Sequence, residues 1–447
     1  MKPIKFIALI STSALISTSV AQEHIPERLT LAECIQLAIR NNADVRRSTI
    51  QSQGAYINLL QSKENMLPAL NAAVIHGINE GRNIDPSTNT YLNQQVGFAN
   101  HELTGSLLLF DGLGMQNLIR QNALAFEASK AKEQQVRDNV SLSVMLVYLQ
   151  VLTHKDVLTL SYNQLEITKN QLSRFETLNK TGEISPAAYY DLKGQLMNDE
   201  LLVATNRNVL ENSKIMLAQL LNIPYDRRME FQAIETVLLN TDEMNSAEAL
   251  YAKAEQHLAM IRTADLQVKV ANMQVKHARS GYYPSIYLKG ALLSNYSSKA
   301  VDVEDNRVGY VDQFKNNLGK SVNVSVVVPL FNNLRTRNAV SLAKLAQQET
   351  LLTADATRKQ LQQLTAQAYL NMLTAKEKWE ALTAQVQAFE ESFKSAEVRF
   401  NLGVIPITDY LISKNNLEKS KINKVISGYD LILRKKIVDF YGGKGVE

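Results

Sequence analysis

Few residues in this chain have the types and spacing that catalysis or metal binding requires. The six histidines are scattered, and the single cysteine, Cys34, stands apart from them, so no zinc site is visible. His76 and His101 lie in or near alternating apolar and polar segments, where we interpret them as structural or solvated. The patterns His-Glu-x-x-His, Walker loop and Gly-x-Ser-x-Gly are absent. The sequence therefore predicts no enzyme, no cofactor and no bound metal.

Two acidic residues occupy comparable places in two similar stretches of sequence. Asp409 follows Gly403 by six residues in RFNLGVIPITDYL, and Asp191 follows Gly182 by nine residues in RFETLNKTGEISPAAYYDL. The two offsets differ by three, so on a helix both acids could face the same side. A carboxylate in the first turn of a helix is also favoured by the helix dipole, which is one interpretation of both residues.

The two stretches belong to an internal duplication that runs through the chain. Pro68 and Pro284 lie 216 residues apart, and Gly182 and Gly403 lie 221 apart. A nearly constant offset over two long halves indicates a duplicated unit, although its length is too great for a solenoid repeat. The predicted divisions are a signal peptide at 1–21, a first repeat at 22–221, a connector at 222–245 and a second repeat at 246–447.

Each half is predicted to contain very long helices. Each begins with one amphipathic helix, at 29–45 and 246–261, that runs on to a proline. Apolar residues then recur at alternating spacings of three and four or at every seventh position, which is typical of a coiled-coil seam. In the first half this series is Val144, Val151, Leu158, Leu165 and Leu172; in the second it is Met372, Ala375, Trp379, Leu382, Val386, Phe389, Phe393, Ala396 and Phe400.

Each long helix should span roughly 65 residues, or about 100 Å at 1.5 Å per residue. Gly182 and Gly403 suit a left-handed helix end. Ser185 before Pro186 suits the cap and first residue of a returning helix. Each glycine is therefore predicted to be the tip of a helical hairpin.

Four segments alternate apolar with polar residues, as strands do. They are 67–77, 98–110, 284–294 and 320–331. One apolar and one polar face fits a membrane strand and a half-buried soluble strand equally. The residues predicted to face lipid are Leu107, Leu109, Ile286, Leu288, Val322, Val324, Val326 and Val328.

Two observations favour the membrane. Long polar stretches at 79–97 and 294–318 join the strand pairs, as outer loops would. Aromatic residues fall at the helix-side ends of the strands, as an interfacial belt requires, and they are Phe110, Phe331, Tyr282 and Tyr283.

Four strands are too few to close a barrel, so open edges would leave backbone groups unpaired in lipid. The chain should therefore share strands with copies of itself. Two copies would give eight strands and three would give twelve. Strand geometry alone does not choose, but long hairpins that need neighbours favour more copies.

The start and the composition of the chain predict export. MKPIKFIALISTSALISTSVAQ has early lysines, an apolar centre and small residues before Gln22, as a cleaved signal peptide has. A Gln at that position gives no lipoprotein signal, and no later stretch offers 18 consecutive apolar residues. A formal charge of +4 without a basic patch gives no sign of nucleic-acid binding. Cys34 is predicted to be a small buried apolar residue.

The chain resembles the TolC-like outer-membrane efflux proteins, also called outer membrane factors, over nearly its whole mature length. LTLAECIQLAIRNNADV is similar to the family's opening helix, FNLGVIPITDYL is similar to its periplasmic tip, and the duplicated order of elements matches. The resemblance implies a mainly α fold with a membrane β portion. Long coiled-coil hairpins would form an α-barrel, and four strands per chain would enter a shared 12-stranded trimeric β-barrel.

The resemblance also implies a function and partners. The expected role is a passive exit duct of a tripartite efflux or type I secretion system, in the outer membrane of a Gram-negative bacterium, with a periplasmic helical extension. Expected partners are two further copies in a homotrimer, a periplasmic adaptor, an inner-membrane pump and outer-membrane lipid, with no nucleic acid. The hairpin tips would dock the adaptor through Gly182, Ile184, Gly403 and Ile405.

The acids depart in part from the family's pattern. The family narrows its periplasmic end with acidic rings, and Asp409 matches one such position, whereas Ile412 replaces the second acid. The first tip has Ala188 six residues after its glycine and Asp191 three residues later. Asp409 and Asp191 are therefore aperture candidates. The alternative function is an exported coiled-coil structural or surface-interaction protein without a transport role, and lipid contact by the four strands would distinguish the two.

Overall fold

The structure is a computed structural model that describes residues 28–84, 89–93, 95–234, 246–304 and 306–445. The predicted signal peptide lies outside these residues. The described part is dominated by four long helices that pair into two hairpins, with a small sheet at the opposite end.

The first half contains four helices and the first strands of the sheet. Its elements in chain order are β1 (Arg28–Leu29), α1 (Leu31–Asn41), α2 (Ala43–Glu64), β2 (Ala69–Asn79), β3 (Arg82–Ile84), β4 (Tyr91–Asn93), β5 (Val96–Phe110), α3 (Gly114–Thr181) and α4 (Pro186–Leu221).

The second half repeats this order, except that one short helix stands between its two long strands where the first half has the short strands β3 and β4. Its elements are β6 (Glu230–Phe231), α5 (Ala247–His257), α6 (Ala259–Ser280), β7 (Ser285–Ser297), α7 (Tyr310–Asn316), β8 (Gly319–Val327), α8 (Arg335–Asn401) and α9 (Ile407–Tyr441). The shared order supports the predicted duplication, whose exact bounds stay a prediction.

The opening helix of each half is two helices, which corrects the single helix expected from the sequence. Asn42 has extended backbone angles between α1 and α2, and its side chain accepts from the backbone N–H groups of Asp44 and Val45. Asn42 therefore ends one helix and caps the next. The second half breaks at the same place, at Leu258, although there no side chain caps α6.

The long helices have the predicted dimensions. α3 has 68 residues and α8 has 67, so each is about 100 Å long. α4 returns along α3, and α9 returns along α8. Nearer the sheet, α2 and α6 pack along α3, and α6 also packs along α8. Near the tips the four helices that pack together are α3, α4, α8 and α9, and near the sheet they are α2, α3, α6 and α8.

Four strands form one antiparallel sheet in the order β2-β5-β7-β8. The fourth strand is shorter than the sequence analysis expected, because β8 ends at Val327 and not at Phe331. Pro329 has no backbone N–H to donate to a neighbouring strand, which accounts for the early end. β2 and β8 are the two edges of the sheet within a single chain.

The largest cluster of buried apolar side chains lies where α1, α3 and α4 meet the short strands β1 and β6. The buried hydroxyl of Tyr148 lies 3.0 Å from the carbonyl oxygen of Leu29 and 2.7 Å from that of Gln232, and its ring packs edge-on against Phe231. Cys34 is fully buried in this cluster, as predicted, and desolvation raises the pKa of its thiol to about 12. The parallel pair β1–β6, which the sequence analysis missed, joins the start of the chain to the connector.

Among the described residues, no helix has both the length and the apolar character needed to cross a membrane.

Candidate functional site

The register of the sheet places the predicted apolar residues on one face. Strand neighbours directly opposite each other point to the same side of a sheet. The rows on this face are Phe110, Ile286 and Val326; Leu107, Leu288 and Val324; Gly105, Gly290 and Val322; and, nearest the outer end, Leu103, Leu292 and Lys320. The rows on the other face include Ser106, Lys289 and Asn323, and Thr104, Ala291 and Ser321. The sheet therefore has one mainly apolar side, which carries Lys320 at its outer end, and one mainly polar side, which also carries Leu108 and Tyr287.

Two of the predicted lipid-facing residues fall outside this regular pattern. Leu109 lies at a register shift between Leu108 and Phe110, so Phe110 and not Leu109 stands opposite Ile286. Val328 follows the last residue of β8 and belongs to no strand. Sequence alternation assumes an unbroken ladder and cannot locate either irregularity.

The predicted aromatic belt lies at the end of the sheet that joins the helices. Phe110 is the last residue of β5, while Tyr282 and Tyr283 lie in the turn that enters β7. Phe331 lies between β8 and α8 and is 77% exposed in the single chain. These side chains are placed where a membrane interface would require them, which remains a proposal.

The far ends of the two hairpins have the same backbone geometry. Gly182 has φ of 75° and Gly403 has φ of 72°, the left-handed conformation that glycine adopts without strain. The N–H after each glycine donates to the carbonyl five residues before it, at 2.9 Å from Glu183 to Leu178 and 2.8 Å from Val404 to Arg399. Each tip is thus a Schellman turn, and the predicted left-handed helix end at each glycine is confirmed.

The returning helices begin differently at the two tips. The Ser185 hydroxyl accepts from the N–H of Ala188, so this predicted cap is confirmed. α9 is capped by Pro406, which offers no side-chain acceptor. Asp409 lies in the first turn of α9, where its negative charge interacts favourably with the free backbone N–H groups at the helix start.

An aromatic and aliphatic cluster ties the two tips together. Phe175 of α3 stacks on Phe400 of α8 at 5.6 Å, and Phe400 stacks on Tyr410 of α9 at 5.0 Å. Buried Leu192 and Ile407 join the cluster, with Ile184 packed beside them. Among the predicted docking residues, Ile184 is therefore held in a contact between hairpins.

The other predicted tip residues face outward to different degrees. Ile405 is half-buried, whereas Leu402 and Val404 beside it are 73% and 63% exposed. Asp409 and Asp191 are both exposed, and Ile412, one turn beyond Asp409, is 60% exposed. The exposed apolar surface of the second tip thus centres on residues that the sequence analysis did not choose.

A buried lysine lies about two turns from this cluster and bridges the two hairpins. Lys414 on α9 is 1% exposed, and its ammonium donates to the Thr168 hydroxyl at 2.9 Å and to the Gln171 side-chain oxygen at 3.1 Å, both on α3. The Gln164 amide satisfies two more groups when its oxygen faces Lys414 at 2.9 Å and its nitrogen faces Glu418 at 3.2 Å. The three N–H groups of the ammonium then have three acceptors.

An acid on the first hairpin completes this arrangement. Asp199 of α4 is 2% exposed and accepts from the Thr168 hydroxyl and, at 2.7 Å, from Gln195. Because Thr168 donates to Asp199 and accepts from Lys414, it links the two opposite charges through one hydroxyl. We call the set Gln164, Thr168, Gln171, Asp199, Lys414 and Glu418 the interhairpin polar cluster.

Burial shifts the protonation of this cluster. Desolvation lowers the pKa of Lys414, and the nearby charges of Asp199 and Glu418 partly offset it. Desolvation raises the pKa of Glu418, against the opposing effect of Lys421 and Lys414. Burial also raises the pKa of Tyr410 to about 12, so its hydroxyl stays protonated next to Gln171.

The sequence analysis missed the interhairpin polar cluster, although a signal for it was present. Gln164 directly precedes the seam position Leu165, and Thr168 lies between the seam positions Leu165 and Leu172. The heptad count treats this stretch of α3 as apolar packing. Polar residues beside a coiled-coil seam commonly fix its partner and register. A charged residue on α9 that faces them cannot be inferred from one chain's periodicity.

The described residues contain no group of three or more His, Cys, Asp or Glu side chains able to hold a metal ion.

Comparisons with known proteins agree on one family. The family described as Outer membrane efflux protein matches residues 250–431. Outer membrane protein TolC of Vibrio cholerae is 24% identical over 410 residues, which cover 90% of this chain and 88% of the relative. The crystal structure of CusC superposes with a TM-score of 0.80 at 16% identity and covers 93% of this chain and 92% of its own. The crystal structure of VceC from Vibrio cholerae superposes with a TM-score of 0.77 at 16% identity and covers 93% of this chain and 97% of its own.

Proposed function

The chain belongs to the TolC-like outer-membrane efflux protein family, and from that premise we propose that it is the exit duct of a tripartite efflux or type I secretion system. As an outer-membrane efflux channel it has the family's fold, in which hairpins form an α-barrel and each chain gives four strands to a shared trimeric barrel. The finer proposal is that a periplasmic adaptor and an inner-membrane pump deliver substrate to the hairpin tips.

One structural observation carries this proposal. A sheet with one apolar face lies at one end of the chain, and two glycine-centred tips lie at the other end of helices of 68 and 67 residues. A helix of that length extends about 100 Å, far beyond an apolar band of about 25 Å. The tips would therefore reach well into the periplasm, where an adaptor could contact them. The similarity to outer-membrane efflux proteins favours the channel over the exported coiled-coil alternative, and lipid contact by the four strands would distinguish the two.

Exposed apolar side chains support adaptor contact at the second tip. Leu402 and Val404 flank Gly403 and are 73% and 63% exposed, whereas a solvated tip would be polar. Ile405 is half-buried beside them, so we propose that Leu402, Val404 and Ile405 form the docking surface of this tip. Gly182 and Ile184 would serve the first tip, with Ile184 in a more supporting role because it packs between hairpins.

Asp409 and Ile412 are the proposed lining of the periplasmic aperture, with Asp191 a weaker candidate. The first two are exposed on adjacent turns of α9, and Tyr410 between them is buried toward α3. In a trimer this arrangement would give one ring of carboxylates and one ring of isoleucines. A single acidic ring should bind cations more weakly than two would.

The proposal is tested by export and by conductance together. A strain that lacks the chain should become susceptible to a panel of toxic compounds or lose secretion of a protein, and the wild-type chain should restore export. In planar bilayers the purified protein should conduct ions. Divalent cations added on the side of the bilayer that holds Asp409 should reduce this conductance. Asp409→Asn should relieve that block, and Ile412→Asp should strengthen it. A conducting protein that never restores export in any host would contradict the tripartite role but leave the channel intact.

A further inference from the structure

The short helix α7 lies against the outer end of the apolar face of the sheet. The His101 ring meets the rings of Phe314 and Tyr310 edge-on at 5.1 Å and 5.8 Å, and its Nε2 atom lies 2.6 Å from the Tyr310 hydroxyl. The Ser294 hydroxyl donates to the Phe314 carbonyl at 2.8 Å, and Tyr296 packs on Tyr310 at 4.7 Å. α7 is therefore packed on the sheet itself.

Gln313 fixes the orientation of α7. Its side chain is 2% exposed, accepts from the N–H of Ser297 at 2.9 Å, and donates to the carbonyls of Ser297 and Val308 at 2.9 Å and 2.7 Å. Asn317 at the helix end donates to the carbonyl of Asn295 at 2.8 Å. Because these hydrogen bonds satisfy buried backbone groups, they hold the Gln313 side of α7 against the sheet. The opposite side of α7 therefore faces outward.

The side of the sheet that carries α7 is the apolar one. Strand residues alternate between faces, so His101 shares a face with Leu103 and Leu107 along β5. Ser294 and Tyr296 likewise share it with Leu288 along β7. α7 thus lies on the outside of the barrel, on the side that we assign to lipid, and not over its lumen.

Its distance from the helix-side aromatic belt matches the thickness of the membrane. Phe110 opposes Ile286, and Tyr296 stands ten residues farther along β7. Ten residues of strand extend about 34 Å, and strands tilted by 35–45° rise about 24–28 Å over that length. Because the apolar band of such barrels is about 25 Å tall, Tyr296, Tyr310 and Phe314 fall at the opposite interface.

The outward face of α7 has the composition of an interfacial helix. Val311 is 60% exposed and Phe314 is 42% exposed, one turn apart, and Leu318 just beyond the helix is 41% exposed. Asp312 next to Val311 and Lys315 next to Phe314 are exposed as well. Apolar and aromatic side chains beside a lysine are typical of segments that lie in the headgroup region.

We propose that α7 is an interfacial anchor that lies in the outer leaflet, with Val311 and Phe314 in contact with lipid at the boundary between headgroups and acyl chains. α7 adds Tyr310 and Phe314 to Tyr296 of β7, and together these side chains form the second aromatic belt. The inference rests on the proposed lipid-facing side of the sheet and extends it to the loop between β7 and β8.

The test uses single-cysteine variants with nitroxide labels in vesicles of phosphatidylethanolamine and phosphatidylglycerol. Cys34 is fully buried and its thiol pKa is raised to about 12, so the native cysteine should stay unlabelled. Label accessibility is compared between dissolved oxygen, which enters lipid, and a nickel chelate, which stays in water. Val311→Cys is the probe, and Val303→Cys, in the same loop and fully exposed, is its control.

We expect Val311→Cys to be more accessible to oxygen and several-fold less accessible to nickel than Val303→Cys. Equal nickel accessibility at both positions would place α7 in water and overturn the inference. Protection of Val311→Cys from both reagents would also overturn it and would make a neighbouring subunit the occupant.

Two reference positions separate this inference from the proposed function. Val324→Cys on the apolar face should be accessible to oxygen, and Ser325→Cys on the polar face to nickel. If both references fail, the assignment of the sheet to the membrane fails with them. If both hold and Val311→Cys reports water, only the role of α7 is refuted.

Discussion

Lys414 is the residue at which the buried polar contacts between the two hairpins converge. Three acceptors and two nearby acids surround the ammonium, so the cost of its burial is partly offset by specific contacts that exist only when α9 lies against α3. Removing one member of such a set should therefore cost more than it would at the surface.

We predict that Lys414→Met lowers the free energy of local unfolding at the α3–α9 contact by about 3–5 kcal/mol, because Asp199 is left as a buried charge without its partner. Hydrogen exchange of the backbone amides in α9 should then become much faster. Lys419→Met, at an exposed position of the same helix, is the matched control and should change little. If Asp199→Asn in the Lys414→Met background recovers none of the loss, the two charges are not coupled.

Glu418 should make this contact depend on pH. Its folded-state pKa is raised above 4.5, chiefly by burial. Its contribution to stability is therefore fully present below pH 4.5 and is lost as the pH rises through the raised value. We predict that Glu418→Gln is more stable than the wild type at pH 7 and that this difference shrinks on acidification toward pH 4.5. Melting followed by circular dichroism at several pH values tests this, and a constant difference would contradict it.

At the scale of elements, the tips depend on two glycines in a conformation that other residues adopt with strain. The Cβ of a residue at Gly403 would meet nothing within 4 Å, so backbone strain and not crowding is the expected cost. That cost is about 1–2 kcal/mol, more for a β-branched residue.

Gly403→Val should therefore disturb the second tip and reduce export while trimer yield and membrane insertion stay normal. Gly194→Val is the matched control, because Gly194 also has open space around it but lies in the interior of α4 with ordinary helical geometry. Export assays of the two variants beside the wild type decide the matter. Full export by the Gly403 variant would mean that the tip does not carry the docking role.

The strands give a second prediction at this scale. Val322 stands opposite Gly290, near the middle of the apolar face, whereas Val326 stands opposite Ile286 near the helix-side end. Val322→Arg should destabilise the barrel by about 2–4 kcal/mol, and Val326→Arg by roughly 0–1 kcal/mol. Asn323→Arg, on the polar face, is the control and should cost least. Heat-modifiability of the folded trimer on gels measures the series, and equal damage from all three would contradict the assignment of faces.

Periodicity made much of this architecture predictable, and its limits are physical. The 3.5-residue and two-residue repeats located the long helices and the four strands, since each repeat follows directly from burying one face. The break at Asn42 was missed because a capping side chain interrupts a helix without interrupting its apolar pattern. Lys414 and α7 were missed because both depend on which elements meet in space, and one chain's spacing does not contain that information.

At the scale of the whole molecule, the single chain is visibly incomplete. Among the residues that the structure describes, the outer edges of β2 and β8 have no strand beside them, and valines along β8 are 51–80% exposed between Val322 and Val327. Unpaired strand edges are not tolerated in lipid, so the sheet should exist only when neighbouring copies pair β8 with β2. Assembly and strand formation should therefore be one event.

The mass of the detergent-solubilised particle, measured together with its strand content, tests this account most directly. The account predicts a particle of three chains, and it predicts that strand signal and trimer disappear together on heating, because each chain supplies only four of the strands. A stable monomer that keeps its strands in detergent would contradict the shared barrel.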